Sequence, residues 1–237
     1  MTALAPRNRK GLMANISHES VSGIFTFVYA FLAVNVLLAL SNAPLVFFLA
    51  VVGNPIASWP FFLALSVTVL PSLAGAFTVF AAIKDSTGKD SQPFKTFALG
   101  YGRCFRRTGP TALAAVAVVG VLLVDLAFIA GTSMGALLMP LLVVLVALAV
   151  VVSVALVAGA VLRPALGWQE LAKASLFLSV KRWYLSLAAL ALLGLIAALS
   201  LVQPILGVAL APAPLLFVIW SNTVFLLTPT SAETANS

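Results

Sequence analysis

Residues 21–51 read VSGIFTFVYAFLAVNVLLALSNAPLVFFLAV and contain no charged side chain. They belong to a longer interval, between Glu19 and Lys84, that also lacks Asp, Glu, Lys and Arg. A bilayer core about 30 Å thick is crossed by roughly 20 helical residues, because each residue advances the helix by about 1.5 Å. The interval therefore has room for two membrane-spanning helices.

The composition excludes an ordinary water-soluble domain. Of the 237 residues, 62% are hydrophobic and only 8% are charged, with a mean hydropathy of +1.17. A soluble domain is roughly 45–50% apolar and about 25% charged. The excess of 13 Lys and Arg over 6 Asp and Glu predicts attraction to anionic lipid headgroups rather than to nucleic acid.

Two further intervals are long and almost free of charge. Between Arg107 and Arg163 the one charged residue is Asp125, and between Arg182 and Glu233 there is none. Turn residues divide each interval near its middle, where a pair of spans requires a break. The sequence thus predicts an all-α polytopic transmembrane bundle, residues 23–227, between an N-terminal tail, 1–22, and a C-terminal tail, 228–237. Its six spans are placed at about 23–51, 60–83, 111–130, 136–162, 183–202 and 205–227.

The last interval admits a second interpretation. A break at Gln203 and Pro204 yields two spans of adequate length, but Pro212 and Pro214 then fall inside the last one. A break at those two prolines instead leaves a short segment that suits a tilted or re-entrant helix. The number of spans would then be five.

The basic residues predict the orientation. All 13 Lys and Arg residues fall in the N-terminal tail, in segment 84–107 or in segment 163–182. Even numbers of predicted crossings separate these segments, so all three lie on one side of the membrane. Because cytoplasmic loops retain Lys and Arg, we expect that side to be the cytoplasm. The first apolar run is too long for the core of a cleaved signal peptide, roughly 7–15 residues.

Both basic loops have the pattern of an interfacial amphipathic helix. In residues 93–107, PFKTFALGYGRCFRR, aromatic residues recur every three or four positions and so share one helical face. This aromatic row consists of Phe94, Phe97, Tyr101 and Phe105, and the basic residues beside it are Lys95, Arg103, Arg106 and Arg107. The second loop spaces Trp168, Leu171, Ala172 and Leu178 in a similar way. Such faces either pack on lipid and on the bundle, or form a docking surface for a partner protein.

Few polar residues are predicted at membrane depth. Asp125 would cost roughly 2.5–3.5 kcal/mol if it were ionised in the middle of the bilayer. We expect it to face the bundle, to be protonated or to lie near the external interface, and a proton or cation relay is the alternative. Asn35 and Asn222 are the other candidates, and interhelical hydrogen bonds account for such residues without a substrate. A solute pathway is the alternative reading of these amides.

The sequence carries no recognisable catalytic or cofactor motif. Cys104 is the single cysteine and His18 the single histidine, which excludes an intrachain disulfide and a zinc site built from Cys and His. Phosphate-binding loops, dinucleotide-binding glycine motifs and zinc-protease motifs are missing as well. We therefore predict no cofactor, no metal site and no enzymatic activity.

Three segments resemble the YesL-like family of bacterial integral membrane proteins, which is built on a domain of unknown function. They are NVLLALSNAPLV (35–46), LPSLAGAFTVFAAIKDSTGKD (70–90) and PFKTFALGYGRCFRR (93–107). Family members have an Asn and a Pro in the first helix, here Asn35 and Pro44, and then a turn of small residues, here after Pro71. The chain departs from the family in the long stretch from Leu45 onward and in Leu70, where a Gly is usual.

The resemblance implies a bacterial plasma-membrane protein, often encoded beside carbohydrate uptake systems, with no functional residues to carry over. From it and from the basic aromatic loops we predict a non-enzymatic accessory protein of a carbohydrate ABC transport system. Its expected partners are the lipid bilayer and the membrane subunits of that transporter. An autonomous small-solute transporter or channel, using Asp125, Asn35 and Asn222, is the alternative.

Overall fold

A computed structural model describes residues 17–54, 57–85, 92–132, 134–203, 207 and 210–227. Within these ranges the side chains of 17–24, 107–112, 136, 168 and 226–227 are left out of the description. Every regular element of the described residues is helical, which confirms the all-α class. The helices are α1 (Ser17–Ser41), α2 (Ala43–Val51), α3 (Trp59–Leu65), α4 (Val69–Asp85), α5 (Pro93–Ile129), α6 (Gly135–Leu162), α7 (Trp168–Lys181), α8 (Trp183–Val202) and α9 (Pro212–Leu227).

Three helical stretches are long and apolar enough to cross a membrane: Trp59–Asp85, Leu137–Leu162 and Trp183–Val202. A fourth crossing is possible if the bent pair formed by α1 and α2 counts as one span. Two apolar stretches, Leu113–Ile129 and Pro212–Phe225, are shorter. Several apolar helices fit a membrane protein, whereas the predicted number of six spans is not reached by length and composition alone.

The first predicted span is broken rather than straight. Phe25–Ser41 and Ala43–Val51 meet at an angle of 74°. Pro44 lies in the first turn of α2, where its missing N–H is tolerated, but it cannot continue the hydrogen-bond ladder of α1. α2 then approaches α3, where the Phe48 and Phe61 rings meet edge to face at 4.9 Å.

Helix α4 is the centre of the bundle. Residues 71–77 of this helix are buried without interruption, and α4 contacts α1, α5, α6 and α9. Three rings from different helices meet beside it: Phe31 of α1, Phe80 of α4 and Phe217 of α9, with centroids 5.4–5.9 Å apart. Because apolar faces of four helices converge on α4, its small residues are under stricter packing limits than those of the outer helices.

The first basic loop and the third predicted span form one continuous helix, α5. Two glycines explain how its first half lies so close to α4. A Cβ on Gly100 would collide with the Thr78 side chain, and a Cβ on Gly75 would lie 2.9 Å from the Phe97 ring. The amphipathic segment is therefore the first part of a bundle helix, with one face packed against α4, and not a separate helix.

Contacts between distant residues place much of the positive charge at one end of the bundle, called here the basic end. The Lys84 ammonium lies 5.8 Å from the Trp220 ring centroid, and the Arg182 guanidinium donates a hydrogen bond to the Phe225 carbonyl at 2.8 Å. The end of α4, the junction of α7 and α8, and the end of α9 are thus neighbours. Residues 1–16 of the predicted N-terminal tail, residues 86–91 of the basic segment 84–107 and the predicted C-terminal tail, 228–237, lie outside the described residues.

Candidate functional site

Asn35 is buried and holds two helices together. Its side-chain oxygen accepts a hydrogen bond from the Ala213 backbone N–H at 2.7 Å, and its amide nitrogen donates to the Leu210 carbonyl at 3.2 Å. Ala213 lies in the first turn of α9, where backbone N–H groups have no partner within the helix. Asn35 therefore acts as an N-cap supplied by another helix, which favours its structural interpretation over a solute pathway.

A second buried amide, Asn42, was not among the residues singled out from the sequence. Its amide nitrogen donates to the Ser72 hydroxyl at 2.9 Å, and its oxygen accepts from the Thr68 hydroxyl at 2.9 Å. Ser72 in turn donates to the Thr68 carbonyl at 2.6 Å. This network fastens the bend after α1 to the start of α4. The pair Ser41-Asn42 before Pro44 is a turn signal inside an apolar run, and it could have indicated the bend.

Asn222 and its neighbours connect α9 with α8. The Asn222 amide donates to the Leu185 carbonyl at 3.0 Å, and the Thr223 hydroxyl donates to the Ile219 carbonyl of its own helix at 2.8 Å. The Arg182 guanidinium also lies 5.3 Å from the Phe225 ring centroid. A cation next to the last carbonyls of a helix is favourable, so Arg182 stabilises the end of α9.

Asp125 lies on the outside of the bundle. Its side chain is exposed on α5, one turn before that helix ends at Ile129. The start of α5 belongs to the basic end, so Asp125 lies toward the opposite end. The structure therefore does not place Asp125 inside the bundle, which was one of the positions expected from the sequence.

Three of the four rings in the aromatic row of α5 stack on one another, and the members of the row differ in exposure. The rings of Phe97 and Tyr101, and those of Tyr101 and Phe105, are nearly parallel at 6.3 and 6.1 Å. Phe97 is only 4% exposed because its ring covers Gly75, whereas Phe94 and Phe105 are 49% and 52% exposed. A docking partner could therefore reach Phe94 and Phe105 but not Phe97.

The basic residues of α5 point in different directions. Lys95, Arg103 and Arg106 are all exposed, and Arg103 lines a cavity between α4, α5 and α6 that the other two do not line. The side chain of Arg107 is not among those described. On α7, Leu171 is buried against the bundle and Ala172 and Leu178 are half-buried, and the Trp168 side chain is not described. The buried stripe of α7 also includes Ser175 and Ser179.

The described helices enclose at least two cavities. One, of about 270 Å³, is bounded by aliphatic side chains of α3–α6 and α8, with Ser66 and Ser153 as its hydroxyl residues. The other, of about 360 Å³, lies between α4, α5 and α6 and includes Thr78, Arg103, Cys104 and Pro164 in its wall. Asn35, Asp125 and Asn222 line neither of them.

The described residues bring no three His, Cys, Asp or Glu side chains together as a candidate metal site. Comparison of the chain with protein-family models, curated proteins and solved structures finds no match. The similarity to the YesL-like family therefore stays a prediction that rests on the three quoted segments.

Proposed function

We propose that the chain is a non-enzymatic integral membrane protein that acts by docking on a partner, as an accessory of a carbohydrate ABC transport system. The observation that carries this proposal is that the buried amide side chains form hydrogen bonds with other groups of the protein itself. Asn35 and Asn42 satisfy backbone and hydroxyl groups of neighbouring helices at 2.7–3.2 Å. Because their polar atoms hold the bundle together, they are poorly suited to receive a passing solute.

A six-crossing topology belongs to the same proposal. Four of the proposed crossings are the bent pair α1–α2, the stretch Trp59–Asp85, α6 and α8. The other two are the shorter stretches Leu113–Ile129 and Pro212–Phe225. Contacts at the basic end support it, since Lys84, Arg182 and the end of α9 meet there. The two short crossings would require a locally thin bilayer or support from the neighbouring helices.

The proposed docking surface is the exposed edge of the aromatic row, Phe94 and Phe105, together with Lys95 and Arg106. Aromatic and Arg side chains are enriched in protein interfaces, where a few well-packed anchors provide most of the binding energy. Phe97 would support this edge from below by filling the space above Gly75. The carbohydrate transporter as partner is taken from the family resemblance.

A pull-down tests the docking surface. The full chain and a Phe94→Ala/Phe105→Ala variant are purified in mild detergent from membranes with equal amounts of each protein. We expect the variant to lose at least tenfold in recovery of transporter subunits, since hot-spot residues are each worth about 2 kcal/mol or more. Phe128→Ala is the control, because Phe128 lies on the same helix, near its far end, and is 79% exposed. Equal recovery with wild type and the double variant rejects the docking surface.

The small-solute transporter remains the alternative, and its three candidate residues line neither described cavity. Proton-coupled flux through the purified chain in liposomes, lost in a well-folded Asp125→Asn variant, would favour that alternative over the accessory role.

A further inference from the structure

The cavity between α4, α5 and α6 has a mainly apolar wall. Ala74 and Thr78 come from α4, Gly100 and Cys104 from α5, and Ala160 and Val161 from α6. Gly100 and Ala160 keep the wall open because neither has a long side chain. The Thr78 hydroxyl already donates to the Ala74 carbonyl at 2.7 Å, so it is not free to donate to a ligand.

Arg103 and Pro164 lie at the mouth of this cavity, and both are exposed. Arg103 is the charged residue among the described lining residues, and none of them is acidic. Within the described part of the chain, its guanidinium makes no hydrogen bond, ion pair or ring contact.

We propose that this cavity is a binding site for an anionic phospholipid, with the phosphate on Arg103 and an acyl segment against the apolar wall. An exposed guanidinium beside an apolar cavity fits an amphiphile that has an anionic head. Arg binds phosphate through paired hydrogen bonds. A zwitterionic headgroup also contains a phosphate, but the positive charge beside it offsets the attraction to Arg, whereas an anionic headgroup has no such opposing charge. The basic end is also the end predicted to face the cytoplasmic leaflet, where anionic lipids are abundant.

The site is distinct from the docking edge of the aromatic row. Successive residues of a helix are rotated by about 100°, so Arg103 and Phe105 lie on opposite flanks of α5. Phe97 and Cys104, which are buried, lie between these flanks. Loss of lipid binding and loss of partner binding can therefore be separated by substitutions on the two flanks.

The test is a lipid titration of the purified full chain, read by native mass spectrometry. Dioleoylphosphatidylglycerol and dioleoylphosphatidylcholine are added separately, and the number of retained lipids is counted. We expect the anionic lipid to be retained at least tenfold more tightly, and Arg103→Gln to remove that preference. Arg106→Gln is the matched control, because Arg106 is exposed on the same helix and does not line the cavity.

Ala160→Leu tests the cavity itself without changing charge, since the added side chain would occupy the space beside Ala160. It should weaken retention of the anionic lipid by a factor similar to that of Arg103→Gln. Equal losses in Arg103→Gln and Arg106→Gln would show diffuse charge attraction and overturn the site. Full retention in Ala160→Leu would overturn the cavity, and displacement of the lipid by millimolar inorganic phosphate alone would indicate a free-phosphate site instead.

Discussion

At the scale of single residues, the buried amides set the geometry of the bundle. Asn35 lies in the middle of an apolar helix, yet both of its polar atoms find partners at the start of α9. At the bend between α1 and α2, both polar atoms of Asn42 also find partners, the hydroxyls of Ser72 and Thr68. In a lipid environment no water replaces these partners, so an unpaired backbone group at membrane depth is costly.

Asn35→Ala should therefore destabilise the chain by about 0.5–2 kcal/mol, the usual cost of losing an N-cap. The start of α9 loses its acceptor for the Ala213 N–H, whereas the apolar contacts of α1 are kept. The measurement is thermal unfolding in detergent, followed by circular dichroism. Gln203→Ala is the control, because Gln203 is an exposed residue at the end of α8. Equal unfolding temperatures for Asn35→Ala and wild type would contradict the cap.

At the scale of elements, the contact between α4 and α5 depends on small residues. α5 keeps helical structure through Gly100 and Gly102, although glycine costs about 1 kcal/mol relative to alanine in a helix. Gly100 faces the Thr78 side chain, with a Cβ–Cβ distance of only 2.8 Å if it carried a Cβ. Gly102 has nothing within 4 Å of the same position. Only the first glycine is required by packing.

This difference yields a matched pair of substitutions on one helix. Gly100→Ala should destabilise the chain by about 1–3 kcal/mol, because overpacking forces α4 and α5 apart. Gly102→Ala should leave stability unchanged or raise it by up to about 1 kcal/mol, since it adds helix propensity in open space. Thermal unfolding of both variants under identical detergent conditions decides the question. If the two variants have the same stability, the close approach of α4 and α5 is incorrect.

At the scale of the whole molecule, charge asymmetry and tertiary contacts agree on a basic end. Lys84 and Arg182 are far apart in the sequence, but they lie at the end of α4 and between α7 and α8, and Arg103 shares a cavity with Pro164, just after the end of α6. Residues that retain positive charge on one side of the membrane define the cytoplasmic face. The basic end is accordingly expected to face the cytoplasm.

Cysteine accessibility tests this orientation in a Cys104→Ala background. Asn8→Cys, Asp90→Cys and Glu170→Cys should react with an impermeant thiol reagent only from the cytoplasmic side, and Ser133→Cys only from outside. Asn8 lies in the predicted N-terminal tail and the other three positions lie between predicted crossings, so the label reports the side and not the depth. Labelling of Asp90→Cys from outside would refute both the orientation and the six-crossing topology.

The sequence by itself determined the helical class and the concentration of Lys and Arg in three segments. Both follow from properties that add up along the chain: hydropathy over about 20 residues, and the cost of moving a charge through lipid. The aromatic spacing of three and four in residues 94–105 also predicted that these side chains share one helical face, and the structure shows that the rings of Phe97, Tyr101 and Phe105 stack there.

Only the tertiary structure decided which side of that row is buried, because helical periodicity defines a face but not its neighbour. Phe97 is inside since Gly75 of α4 leaves room for its ring, and Gly75 is distant in the sequence. The same holds for Asn35, whose partners lie more than 170 residues away, and for Arg103, which becomes a cavity residue through Thr78 and Pro164. Such contacts depend on how close two helices come, and that distance is a property of the pair and not of either segment.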